Sequence, residues 1–141
     1  MRRLWFVPLA VAAIGCANTV EPLSLAATDA NVAGTYGLNL AGGQTLPLLA
    51  GQTTTQEVDL VADTLAIATD NTWTETSYYI LVAFTDGSQT TSQTVSSGSY
   101  AIANNQINFT TLVGGTATFA GSVSGSTLSL LYNNARYVYG K

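Results

Sequence analysis

The chain has no histidine, and Cys16 is its single cysteine, so little familiar side-chain chemistry is open to it. Ser-His-Asp and Cys-His nucleophiles are excluded, as are zinc sites built from imidazole and thiolate. No glycine-rich phosphate loop precedes a helical pattern, and Gly114-Gly115 reads as a hairpin turn. Carboxylates are what remains. Glu57, Asp59 and Asp63 form the most acidic stretch, and such oxygens could serve a hard cation such as calcium. Glu57 and Asp59 stand two apart, which is simply one face of a strand, so a solvated outer face is expected. Glu75 shares parity with Trp73. It is the one carboxyl that could point inward, where burial would raise its pKa. A bulge between Trp73 and Tyr78 would turn it to solvent instead, and that is the expectation adopted. Only a carboxylate pair could do acid–base work, as in glycoside hydrolysis. The chain is expected not to be an enzyme and to hold no cofactor and no metal.

These residues must be positioned by strands. Asp70-Asn71, Asp86-Gly87, Asn104-Asn105, Gly114-Gly115, Ser124-Gly125 and Asn133-Asn134 punctuate the chain after residue 60. Asn, Asp and Gly tolerate the positive φ that tight hairpin turns require. Between them lie runs rich in Thr, Val, Ile, Tyr and Phe, which suit a pleated, half-buried surface. The first strand is expected over 32–40, where Tyr36, Leu38 and Leu40 alternate with smaller or polar residues. Further strands are expected over 57–69, 72–85 and 88–103. Four short ones follow, with Ile107, Phe109, Ala117, Phe119, Val123, Leu128, Leu130 and Tyr132 facing in. Tyr100 and Ile102 share a face at the end of the fourth. The one long connection, 41–56, has an apolar centre, Leu46-Pro47-Leu48-Leu49. A loop of that length in a compact domain is functional or disordered. It is read as a flap over one end, either a lid for a ligand or a plug on the core. The fold class is therefore all-β: an eight-stranded antiparallel up-and-down barrel or meander, closure being the way to remove exposed edges.

Composition narrows the partners. Hydrophobic residues make up 47% of the chain, enough for a sizeable core, and charged residues only 9%, against about 25% in ordinary globular domains. Beyond Cys16 only Arg136 and Lys141 are basic, against eight acidic residues, a formal charge of −6. Nucleic acid is not an expected partner, because phosphate contacts need clustered Lys and Arg.

The amino-terminal residues carry an address. Arg2 and Arg3 precede an apolar run that is interrupted only by Pro8 and is too short to span a bilayer. It ends in Ala13-Ile14-Gly15-Cys16, which resembles a bacterial lipobox, with Ala13 where that family prefers Leu. The resemblance implies cleavage before Cys16, a diacylglyceryl group on its thiol and a lipid anchor in the membrane. Ala17 in the next position implies sorting to the outer membrane. Ordinary cleavage after Ala17 is the alternative. The expected organisation is a signal peptide over 1–15, a tether over 16–31 and the barrel over 32–141.

Gly34-Thr35-Tyr36 stands where lipocalins and their relatives carry Gly-x-Trp, and Arg136 lies near the Arg that this family sets against that aromatic. The pattern of 32–141 thus resembles the short bacterial lipocalin-like lipoproteins, although no Thr-Asp-Tyr motif and no terminal helix are present. The resemblance implies a lipocalin-like barrel in which Tyr36 and Arg136 meet at the closed end. It also implies an interior that takes a small apolar or amphipathic ligand. The barrel residues that would meet such a ligand are Trp73, Tyr100, Phe109, Phe119 and Tyr132, with Leu46, Leu48 and Leu49 from the lid. The alternative is a structural or interaction lipoprotein whose barrel is filled by its own side chains.

Overall fold

A computed structural model of the chain describes residues 27–115 and 117–141. The expected signal peptide, Cys16, most of the expected tether and Thr116 lie outside these residues. A single helical turn, α1 (Asp29–Val32), leads into nine strands. They are β1 (Gly34–Ala41), β2 (Leu48–Gln52), β3 (Gln56–Ile67), β4 (Thr72–Ala83), β5 (Gln89–Ala103), β6 (Gln106–Val113), β7 (Thr118–Ser124), β8 (Thr127–Tyr132) and β9 (Ala135–Gly140). From β3 to β9 each strand pairs antiparallel with the next, and β1 pairs with both β9 and β3. Eight strands thus close into an up-and-down barrel, as expected from the turn spacing. The strand β2 is the ninth. It lies in the connection expected as an irregular flap and pairs with β3 through Leu48↔Leu60 and Gln52↔Glu57.

The turns follow from their residues. Asn104 and Asn105 both have positive φ (52° and 62°), as do Asn133 and Asn134 (48° and 61°). That pair of left-handed residues matches the right-handed twist of the strands it joins. Inside, Tyr36, Leu65, Trp73, Ile107, Phe109, Leu128 and Tyr139 are buried. They all come from the half of the barrel where β1 begins and β9 ends.

Two corrections concern which way the strands face. The expected bulge in β4 is absent: β4 stays in unbroken register with β5 from Thr72 to Val82. Trp73, Glu75, Ser77 and Tyr79 therefore share the inner face, while Tyr78 and Phe84 lie exposed on the outside. The bulge lies instead in β3, between Leu60 and Ala62. It shifts parity by one residue, so Leu60 and then Asp63, Leu65 and Ile67 all point inward. Asp63, expected on a solvated face, is 6% exposed.

The third correction is at the closed end. Tyr36 is fully buried and its hydroxyl donates to the Val32 carbonyl at 2.6 Å. The cation over its ring is Lys141, whose Nζ lies 4.8 Å from the ring centroid. That ammonium also donates to the carbonyls of Ala33 (2.8 Å) and Asn31 (3.2 Å). Arg136 is at the other end. Its carbonyl accepts from the Gly42 amide at 2.8 Å, and its guanidinium donates to Ser129 Oγ at 3.0 Å. Gly42 is six residues from Tyr36, roughly 20 Å along a strand. Antiparallel pairing puts Lys141, just past the end of β9, beside the start of β1, and Arg136, near the start of β9, beside the end of β1. Lys141→Met should therefore cost about 1 kcal/mol in urea unfolding. Arg136→Met should stay within about 0.5 kcal/mol of the parent; the reverse ranking would overturn this assignment.

Candidate functional site

The barrel is packed at one end and hollow at the other. The packed end holds the Trp73, Phe109 and Phe119 rings, with Trp73 edge-on to both others and Phe109 stacked on Phe119 at 4.7 Å. The Trp73 indole N–H donates to the carbonyls of Ser99 (3.0 Å) and Thr110 (3.3 Å). Above this layer lies a cavity of about 630 Å³, within the size range of small-molecule sites. Leu48, Leu49 and Ala50 of β2, Gly114-Gly115, Tyr132 and Tyr137 are among its lining. Leu38, Leu60, Phe119 and Leu130 line the barrel wall below them.

One wall of the cavity is not apolar. Asp63 on β3, Glu75 and Ser77 on β4 and Tyr139 on β9 converge there. Ser77 Oγ donates to Asp63 Oδ2 at 2.5 Å. Tyr139 Oη lies 3.0 Å from Asp63 Oδ1 and 3.1 Å from Glu75 Oε1. A phenol has one proton and cannot donate fully to both. Asp63 receives two hydroxyl groups, Glu75 one, so the negative charge settles on Asp63. Burial and the neighbouring Asp63 charge push the Glu75 carboxyl up to about 7. Below that pH, protonated Glu75 can donate to Tyr139 Oη while Tyr139 donates to Asp63. Burial also raises Asp63, with the Ser77 and Tyr139 hydroxyls opposing it. Burial, and then the two carboxylates, raise Tyr139, which stays a neutral phenol.

Among the described residues no group of three or more His, Cys, Asp or Glu could hold a metal ion. Among the described residues no lysine or arginine lines the cavity. The two basic residues of the barrel are committed elsewhere, Lys141 at the closed end and Arg136 outside on Ser129. Among the described residues the carboxyl wall therefore has hydroxyl partners and no cationic one.

The residues picked out from sequence divide in two. Leu48, Leu49, Trp73, Phe119 and Tyr132 line the cavity. Leu46 packs against the core, and Tyr100 and Phe109 are buried in it, away from the hollow. Tyr100 is occupied in joining strands: its hydroxyl donates to the Ala68 carbonyl at 2.7 Å. Sequence reasoning missed Asp63, Ser77, Tyr137 and Tyr139 as cavity residues and turned Glu75 the wrong way. A signal was present in β3, where Leu60 has even parity and Leu65 and Ile67 have odd. Only a bulge lets all three face in, and it brings Asp63 in with them.

No protein-family model matches the chain, and no curated protein matches it in sequence.

Proposed function

We propose that this protein is an exported, lipid-anchored, lipocalin-like barrel that binds a small apolar or amphipathic molecule. The supporting observation is the cavity of about 630 Å³ between the aromatic layer and β2. A barrel acting only as a scaffold would fill that space with side chains, since interiors otherwise pack to crystal-like density. In this reading β2 forms part of the cavity rim, and the protein carries its ligand without transforming it.

The lipid anchor rests on Ala13-Ile14-Gly15-Cys16 closing the amino-terminal apolar run. A diacylglyceryl group with a second acyl chain holds a protein stably on a bilayer. The barrel end of the tether favours a useful geometry. The Ala27 amide donates to Asn105 Oδ1 in the β5–β6 turn, at the closed end. In this reading the chain leading from Cys16 enters the barrel at its closed end, on the side away from the cavity. Thr74, Asn108, Thr110 and Ser122 are exposed on the outer face, and Tyr78, Phe84, Val95, Leu112, Val113 and Leu131 are exposed as well.

Mass spectrometry of the protein purified from its own cells tests both halves. Under denaturing conditions the chain should begin at Cys16 and carry the added mass of a diacylglyceryl group. Under native conditions it should carry a small-molecule mass that denaturation releases. An unmodified chain beginning at Asn18 would refute the anchor. A native mass equal to the denatured mass, together with no uptake of any added apolar probe, would refute the binding role.

A further inference from the structure

We propose that the carboxyl-bearing wall of the cavity receives the protonated amino group of an amphipathic amine, whose apolar part lies among the leucines and rings. This names a ligand class and rests on the reading of the cavity as a binding site. Three observations on the molecule lead to it. First, Asp63 and Glu75 both border the hollow rather than the outer surface. Two carboxyls side by side in a largely buried wall cost stability unless something offsets their repulsion. Second, among the described residues none supplies a cation to them. Arg136 and Lys141 are the only basic residues after Arg3, and both are engaged outside the cavity. Third, among the described residues Glu75 receives one hydroxyl contact, at Oε1. Its carboxylate keeps acceptor capacity for a second donor.

An alkylammonium meets these conditions. It has up to three N–H donors on a compact charge, as a lysine has, and stays protonated to about pH 10. Hydrogen bonds between ionised partners are roughly twice as strong as neutral ones. A carboxylate ligand would add a third negative group beside Asp63 and Glu75, and an alcohol would leave the charge unanswered. The groups that face Glu75 are Asp63 from β3, Ser77 and Tyr79 from its own strand, and Tyr137 and Tyr139 from β9. Among these only Asp63 is charged near neutral pH. An ammonium therefore favours the ionised form of Glu75, and binding just below neutral pH releases a proton to solvent.

The test uses the full mature protein in lipid nanodiscs and isothermal titration calorimetry. The probes are n-hexylamine, n-hexanol and n-hexanoate, which share one apolar tail. At pH 8 the amine should bind at least about tenfold more tightly than the alcohol, and the hexanoate most weakly. Near pH 6.5 the amine titration should release protons, read as a heat that depends on the buffer's ionisation enthalpy. Glu75→Gln, with folding confirmed by its unfolding transition, should weaken amine binding about tenfold at pH 8 and abolish the proton release. Equal affinity for amine and alcohol, tighter binding of hexanoate, or an amine preference that survives Glu75→Gln would overturn the inference and leave the binding role standing. If no probe binds, the binding role itself falls.

Discussion

Between pH 5 and pH 8 the protein should lose about 2–3 kcal/mol of unfolding free energy, without any change of fold. The cause is Glu75. Its carboxyl, ordinarily at 4.5, is pushed up to about 7 by burial and by the Asp63 charge beside it. Because the folded pKa is raised, the folded state holds this proton over a range where the unfolded chain has released it. The contribution is fully present below pH 4.5 and is lost as the pH rises through 7. A shift of this size would correspond to somewhat more than 3 kcal/mol at about 1.4 kcal/mol per unit. Glu75 is only half-buried, and solvent screening of a partly exposed group reduces it. Asp63, also raised by burial, acts in the same direction. Asp70 and Asp86 are lowered by hydrogen bonds in exposed turns, and they act below this window.

Urea unfolding across the range measures the effect. Glu75→Gln should flatten the profile and be the more stable protein at pH 8, because a neutral amide N–H can donate to Tyr139 Oη as the protonated carboxyl does. Wild-type stability that stays level or rises from pH 5 to pH 8 would show that the carboxyl wall carries no such cost. If the cost is present, it bears on binding. A molecule that neutralises Glu75 and Asp63 recovers stability that the empty cavity lacks at neutral pH, and a ligand selective for the folded state raises its stability further.

The sequence made the barrel legible where turn chemistry and alternation agree. Asn104-Asn105 and Asn133-Asn134 both adopt the conformation their residues favour, and each strand between turns pairs with its neighbour. The direction of Glu75 was not legible. In β4 both parities are apolar, Trp73 and Tyr79 on one and Tyr78, Ile80 and Val82 on the other. Alternation therefore could not decide the inner face. Pairing decides it, because β4 is held between β3 and β5 over more than ten residues without a shift against β5. The cation on Tyr36 was misassigned for a related reason. Arg136 and Lys141 both lie near the carboxyl end, and only the register Gly37↔Gly140 selects Lys141. β2 carries no clean alternation, and only its pairing with Glu57–Leu60 of β3 makes Leu48–Gln52 a strand.

Gly98→Ala should be among the most damaging single-methyl changes in the molecule, costing roughly 3–5 kcal/mol. Gly98 is buried in β5 at the point where its register with β6 shifts. A Cβ built there would lie 1.9 Å from the Thr110 carbonyl oxygen and 2.9 Å from the Trp73 indole nitrogen. The first of these is backbone inside a ladder and cannot swing aside. To make room, β6 must move away from β5 or the indole must leave. Leaving breaks its hydrogen bonds to Ser99 and Thr110 and its edge contacts with Phe109 and Phe119. Overpacking of a yielding core typically costs about 1–3 kcal/mol. A buried carbonyl or N–H left unpaired adds about 1–3 kcal/mol. Gly37→Ala is the matched control. Gly37 is also a strand glycine, but no atom lies within 4 Å of its Cβ position. That change should stay within about 0.5 kcal/mol of the parent. The readout is the urea midpoint followed by the fluorescence of Trp73, the only tryptophan after residue 5. Because the indole roofs the packed end and borders the hollow, Gly98→Ala should also shift its emission and lower the affinity for any cavity probe. A Gly98→Ala midpoint close to that of Gly37→Ala would mean that β5 and β6 are not held at this distance. The aromatic floor assigned to the cavity would then be wrong.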